Sequence, residues 1–137
     1  MNFRACLFPA RLASLRAVHA FTETFCTENA IPRPPGLRLN LVLEELFTNT
    51  VHHGHGGDSD APVWIGLQAG DGTVRVTFED TAPPFNPYAR LPEESPDNTV
   101  EMRKIGGLGV LLTRELAATR DYAYLYGRNC IRLRLDC

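Results

Sequence analysis

Glu45 and Asn49 stand four residues apart in the stretch LVLEELFTNTVHH, whose apolar residues fall at helical spacing. On an α-helix that separation turns two side chains only about 40° apart, so both project the same way. Leu39, Val42, Leu43, Leu46, Phe47 and Thr50 form a stripe flanking that direction, which sets both polar groups near the core boundary. Two solvated polar residues at a helix edge would satisfy this spacing. So would a magnesium nucleotide. Mg²⁺ takes hard oxygen ligands and keeps several waters, so one amide oxygen plus phosphate oxygens suffices. A carboxylate one turn away can orient a metal-bound water or accept a hydroxyl proton.

Asp80 closes the alternating run VTFED. A carboxylate at a strand end either opens a turn or accepts a hydrogen bond from a ligand. The exocyclic amine of adenine fits the second role, whereas guanine presents an oxygen there and is repelled. KIGGLGVLL carries Gly106, Gly107 and Gly109 ahead of a leucine-rich run. Backbone N–H groups at a helix entrance bind phosphate, and missing side chains let it approach. Each signal is a common local feature; their order along one chain is the informative part.

The histidine-rich stretch EELFTNTVHHGHGGDSD, residues 44–60, suggests a transition metal at first sight. Adjacent His52 and His53 point about 100° apart on a helix and cannot both line one site. His55, Asp58 and Asp60 are expected in a solvated loop beyond it. Cys6, Cys26, Cys130 and Cys137 show no C-x-x-C spacing, and reduced thiols buried as small apolar groups are expected.

The elements that must position these residues follow from periodicity. A first strand is expected over 3–8 and a first helix over 10–29, with Leu15, Val18, Phe21 and Phe25 inward. The prolines of IPRPPG separate it from a second helix over about 37–53, which the glycines of GHGGDSDAP end. Two alternating strands, 63–67 and 74–78, flank the two-residue turn Asp71-Gly72. Five of the ten prolines then fall between Pro83 and Pro96, which predicts a long lid over about 86–105. A third helix opened by the glycines and a last hairpin over 121–135 complete the chain. The order predicts a single α+β domain spanning 1–137, a two-layer sandwich with a mainly antiparallel sheet and helices on one face.

Bulk properties agree with an ordinary globular protein: 137 residues, 44% apolar, 22% charged, formal net charge -2. That charge gives no general pull toward nucleic acid or anionic membrane. No apolar run approaches the roughly 20 residues a membrane helix needs. Pro9, Arg11 and Arg16 interrupt any secretory signal, so a cytoplasmic protein is expected.

Taken together, E-x-x-x-N, EDTAPPFNP and GGLGVLL in this order resemble the GHKL nucleotide-binding superfamily, with its histidine-kinase-like ATPase fold. Within it they are most similar to the anti-sigma-factor serine/threonine kinases, and the resemblance runs from about residue 3 to 136. It implies ATP and Mg²⁺ as cofactors, Glu45 as the catalytic base, Asn49 as the Mg²⁺ ligand and Asp80 as the adenine-binding carboxylate. His53 matches a histidine these kinases often carry, and Gly106, Gly107 and Gly109 match the phosphate-binding glycines. Lys104 or Arg103 would reach the phosphates when the lid closes. Ala82 stands where the family has glycine and Asn86 where it has aspartate, two departures that bear on affinity. The implied partners are an anti-anti-sigma (STAS-type) protein as substrate and a sigma factor held inactive. A homodimer through the first strand and helix is expected by analogy. Two other functions share these motifs: a non-catalytic nucleotide-binding switch that sequesters a partner, and a stand-alone histidine-kinase-type catalytic domain.

Overall fold

A computed structural model describes residues 2–88 and 115–137. Its strands are β1 (Asn2–Pro9), β2 (Pro62–Gly70), β3 (Thr73–Asp80), β4 (Thr119–Leu125) and β5 (Arg128–Asp136). They form one antiparallel sheet in the order β1-β2-β3-β5-β4. Among the described residues, two helices, α1 (Leu15–Glu28) and α2 (Arg33–Asn49), supply the second layer. The expected α+β sandwich is the observed architecture.

Alternation decides which sheet face the helices cover. Val63, Ile65 and Leu67 of β2, Val74, Val76 and Phe78 of β3, and Ile131, Leu133 and Leu135 of β5 are all buried. They meet Val18 and Phe25 of α1 and Leu39, Val42, Leu43, Leu46 and Phe47 of α2 in one apolar cluster. Fully burying such a side chain stabilises by about 1.5–3 kcal/mol, so slipping a strand by one residue would forfeit several of these at once. Two tight turns fix the register. Asp71-Gly72 and Tyr126-Gly127 both adopt positive φ at both positions, as a two-residue hairpin turn requires.

Both helix starts differ from the expectation. α1 begins at Leu15 rather than Ala10, because 10–14 is tied into a turn. Arg11 is extended, Leu12–Ser14 is a short 3₁₀ turn, and Ser14 Oγ donates to the Pro9 carbonyl. α2 begins at Arg33, with Pro34 and Pro35 inside its first turn. First-turn N–H groups have no partner within the helix, so proline sacrifices nothing there and its fixed φ suits the helix. The prolines start this helix instead of delaying it. The thiols also differ: all four are free, and Cys130 is buried, but Cys6 and Cys137 are exposed. Cys6 lies on edge strand β1 and Cys137 follows the last strand, so neither has a layer above it.

A candidate nucleotide cleft beside Asp80

The C-terminal end of α2 faces the end of β3. After Asn49 the helix does not stop but widens into a π-helical turn, Thr50–Gly54, where the His55 N–H reaches back five residues to the Thr50 carbonyl at 2.9 Å. Thr50 is buried in this turn, and its hydroxyl lies 2.8 Å from Asp80 Oδ2 and 3.1 Å from the Leu46 carbonyl. The shorter contact to the carboxylate is the stronger, being charge-assisted. Asn49 and Thr50 line a cleft together with Asp80, Ala82, Phe85 and Asn129.

Asp80 is only 7% exposed, and its carboxylate is satisfied by donors from three directions. Oδ2 accepts from Thr50, while Oδ1 accepts from the Ala82 N–H at 3.1 Å and from Asn129 Nδ2 at 2.9 Å. A buried carboxylate needs such company, since desolvating an unpartnered one would cost several kcal/mol (about 1–3 or more per lost partner). An ionised carboxylate offers about four acceptor positions, so three donors leave one unfilled. The next group at this carboxylate must be a donor.

The residues after Asp80 are held as closely. Ala82 is 3% exposed, and a Cβ placed on Gly54 would come within 2.9 Å of the Ala82 methyl. The π turn thus brings a glycine to the place where Ala82 needs room. Phe85 donates its N–H to Asn129 Oδ1 at 3.0 Å and to the Tyr122 hydroxyl at 3.1 Å. Asn86 Oδ1 accepts the Tyr88 N–H at 2.9 Å, an acceptor role an aspartate would fill equally.

The histidine kinase-like ATPase domain profile matches this chain over residues 8–135. The chain belongs to that family. The RsbU and RsbW domains of Rv1364c from Mycobacterium tuberculosis share the fold with a TM-score of 0.69 at 17% identity, over 99% of this chain but 32% of theirs. The chain therefore spans about a third of that structure's length. The nucleotide-free catalytic domain of histidine kinase ThkA matches with a TM-score of 0.54 at 14% identity, over 99% of this chain and 97% of that one. At these identities the likeness shows the fold alone. No curated protein sequence matches the chain.

The cleft beside Asp80 is a candidate position for a nucleotide. The expected residues divide into groups here. Asn49, Asp80 and Ala82 come together along the cleft. Glu45 lies one helical turn before Asn49, partly exposed and outside the cleft lining; burial, then the neighbouring Glu44, raises its pKa above the ordinary carboxylate value. His53 is exposed and likewise outside the lining. The four-residue spacing that would set it beside Asn49 assumes an α-helix, and the π turn changes that phase. Lys104, Gly106, Gly107 and Gly109, Arg103, the lid from 89 onward and the third helix up to 114 lie outside the described residues, while 115–116 are helical.

The rest of the histidine-rich stretch serves the fold. Asp58 accepts the Leu12 N–H at 2.8 Å, and Asp60 pairs with Arg11 at 2.7 Å, which pins the loop to the turn before α1. No helix among the described residues is long and apolar enough to cross a membrane. The sequence did not point to two cleft residues, Thr50 and Asn129, or to Tyr122, which bonds to Asn129 and Phe85 outside the lining. Asn129 was legible in principle, because Ile131, Leu133 and Leu135 face the core and position 129 continues that parity.

Proposed function

We propose that this domain binds Mg·ATP beside Asp80 and acts as a regulatory serine/threonine protein kinase of the anti-sigma-factor type. The observation that carries the nucleotide reading is Asp80: a buried carboxylate in a cleft, held by three donors, with one acceptor position left for a ligand's N–H. Adenine offers an amine there and guanine does not. Asn49 supplies a neutral amide oxygen at the cleft wall, which suits Mg²⁺ shared with phosphate oxygens. Bound Mg²⁺ would neutralise charge on the transferring γ-phosphoryl group. Glu45, with its raised pKa, is the group suited to take the proton from a serine or threonine hydroxyl. Lys104, Gly106, Gly107 and Gly109 are assigned to the phosphates, and His53 to the site's outer edge, by the family resemblance.

The resemblance also supports the partners: a STAS-type anti-anti-sigma protein as phosphoryl acceptor, and a sigma factor released or held according to that acceptor's state. A phosphate placed on the acceptor's docking face adds charge and would separate it from this domain. The first test is calorimetric titration with ATP, GTP, and ATP without Mg²⁺. Adenine-selective, Mg-dependent binding is expected, and Asn49→Ala should weaken its Mg-dependent part. An unchanged titration in that variant would remove Asn49 as the ligand. Labelled ATP with candidate acceptors then separates the activities. Acid-stable phosphoserine or phosphothreonine is expected; acid-labile phosphohistidine would indicate a phosphorelay domain, and no transfer a sequestering switch.

A further inference from the structure

Asn129 sits at the inner end of β5, directly paired across the ladder with Asp80, and is 5% exposed. Its amide makes contacts in two directions. Nδ2 lies 2.9 Å from Asp80 Oδ1, 3.0 Å from the Ala82 carbonyl and 3.1 Å from the Pro83 carbonyl. Oδ1 faces the Phe85 N–H and the Tyr122 hydroxyl. All groups on the nitrogen side are acceptors and both on the oxygen side are donors. The amide orientation is therefore fixed, because flipping it would oppose every partner. Tyr122 must donate to Asn129 while accepting from Phe85, which completes one polarity through the chain of bonds.

We infer that Asn129 is a positioning residue for base recognition, orienting Asp80 through one half of its amide and pinning Ala82–Phe85 through both. This rests on the proposed nucleotide reading and extends it to a residue that need not touch the ligand. With Nδ2 and the Ala82 N–H both on Oδ1, the unfilled acceptor position belongs to Oδ2, beside Thr50. Removing the Asn129 donor leaves Oδ1 held by the Ala82 N–H alone and opens a second acceptor position there, so the carboxylate no longer presents one defined unfilled position. Selectivity between an amine and an oxygen on the purine should then fall. Overall burial of the base is set by other groups and should change less.

The test is titration of wild type and Asn129→Ala with ATP and with inosine triphosphate, which carries an oxygen where adenine carries its amine. The ATP preference should drop roughly 10- to 100-fold in the variant, the worth of one charge-assisted hydrogen bond. Weakening both nucleotides alike is what a merely structural residue would do, and would overturn the inference. The near-isosteric Asn129→Asp guards against misfolding of the alanine variant. Its carboxylate would face Asp80 at hydrogen-bond distance, where the two groups resist ionising together and hold one shared proton instead. Its ATP preference should therefore recover as pH falls from about 8 to about 5.5, where wild type stays flat. A flat profile in Asn129→Asp would also overturn the inference. No ATP binding by wild type would remove the nucleotide reading and this inference with it. Wild-type selectivity retained in both variants would remove the inference alone.

Discussion

Gly54→Ala tests whether the cleft's back wall is as closely fitted as the geometry implies. A methyl at Gly54 would stand 2.9 Å from the Ala82 methyl carbon, with the Asn49 carbonyl and Thr50 Cγ2 both at 3.9 Å. Two carbons prefer about 3.5–4.0 Å, so one of the two segments must give way by more than half an ångström (~0.6 Å or more). Neither is free to do so. Gly54 ends the π turn, and Ala82 is bonded to Asp80 through its N–H and to Asn129 through its carbonyl. Overpacking of this kind costs about 1–3 kcal/mol. For a domain of this length, the usual unfolding entropy per residue converts that to a melting point lowered by roughly 3–10 °C. Gly54 has no positive φ, so the cost is steric and not backbone strain. Ala82→Gly alone should cost about 1–2 kcal/mol, from a lost buried methyl and a more flexible chain. Combining the two moves the methyl from one side of the contact to the other. The double variant should melt above Gly54→Ala, with a coupling of about 1 kcal/mol or more. Thermal or urea unfolding of the four proteins completes the cycle. An unchanged melting point in Gly54→Ala, or two costs that simply add, would refute the proposed complementarity.

The raised pKa of Glu45 has a stability consequence of definite sign. The unfolded chain ionises this group near the ordinary carboxylate value of 4.5 and the folded chain only at higher pH, so the group's contribution to stability falls as pH rises through that window. Glu45→Gln should therefore melt higher than wild type at neutral pH, with the gap closing as pH drops toward the ordinary carboxylate value. A gap that stays constant with pH would count against desolvation as the cause. The same variant should keep nucleotide binding and lose phosphoryl transfer, and full transfer would remove Glu45 as the base. Gly127→Ala places a side chain at φ +76, where an L-residue is strained by about 1–2 kcal/mol. A melting point lowered by roughly 3–7 °C is expected, and an unchanged one would mean the turn relaxes elsewhere.

What the sequence made legible was whatever period and turn chemistry determine locally. Alternation in β2, β3 and β5 set the buried face, and the paired positive-φ turns set register. Three features escaped for physical reasons. Pro34 and Pro35 read as breakers because their penalty was applied to a helix interior, and in a first turn it vanishes. The π turn cannot be read from spacing, because it departs from the 3.6-residue period on which that reading depends. Asn129 lies two residues past the turn glycine Gly127, where turn chemistry masks it, although the alternation of its own strand carries it inward. A polar residue at an inward strand position must find partners or lose stability, and that rule points to a site more directly than any motif around it.

Two carboxylates of this domain illustrate how environment, and not residue type, assigns chemistry. Asp80 is the more buried, yet three donors satisfy it, and what remains is a single directed acceptor. That is the condition for recognising a ligand. Glu45 is partly exposed, and burial with Glu44 beside it makes its charge costly and its proton affinity high. That is the condition for taking up a proton. Exchanging the two environments would exchange the proposed roles, so the decisive sequence positions include the donors around Asp80 as well as Asp80 itself. Thr50→Val removes one of those donors at nearly constant shape, leaving Oδ2 without its buried partner. It should weaken ATP binding by roughly 10-fold or more while leaving Glu45→Gln's pH signature intact, since the two carboxylates share no partner. If Thr50→Val instead bound ATP as wild type does, the donor set around Asp80 would be structural only. The recognition role would then have to lie elsewhere in the cleft.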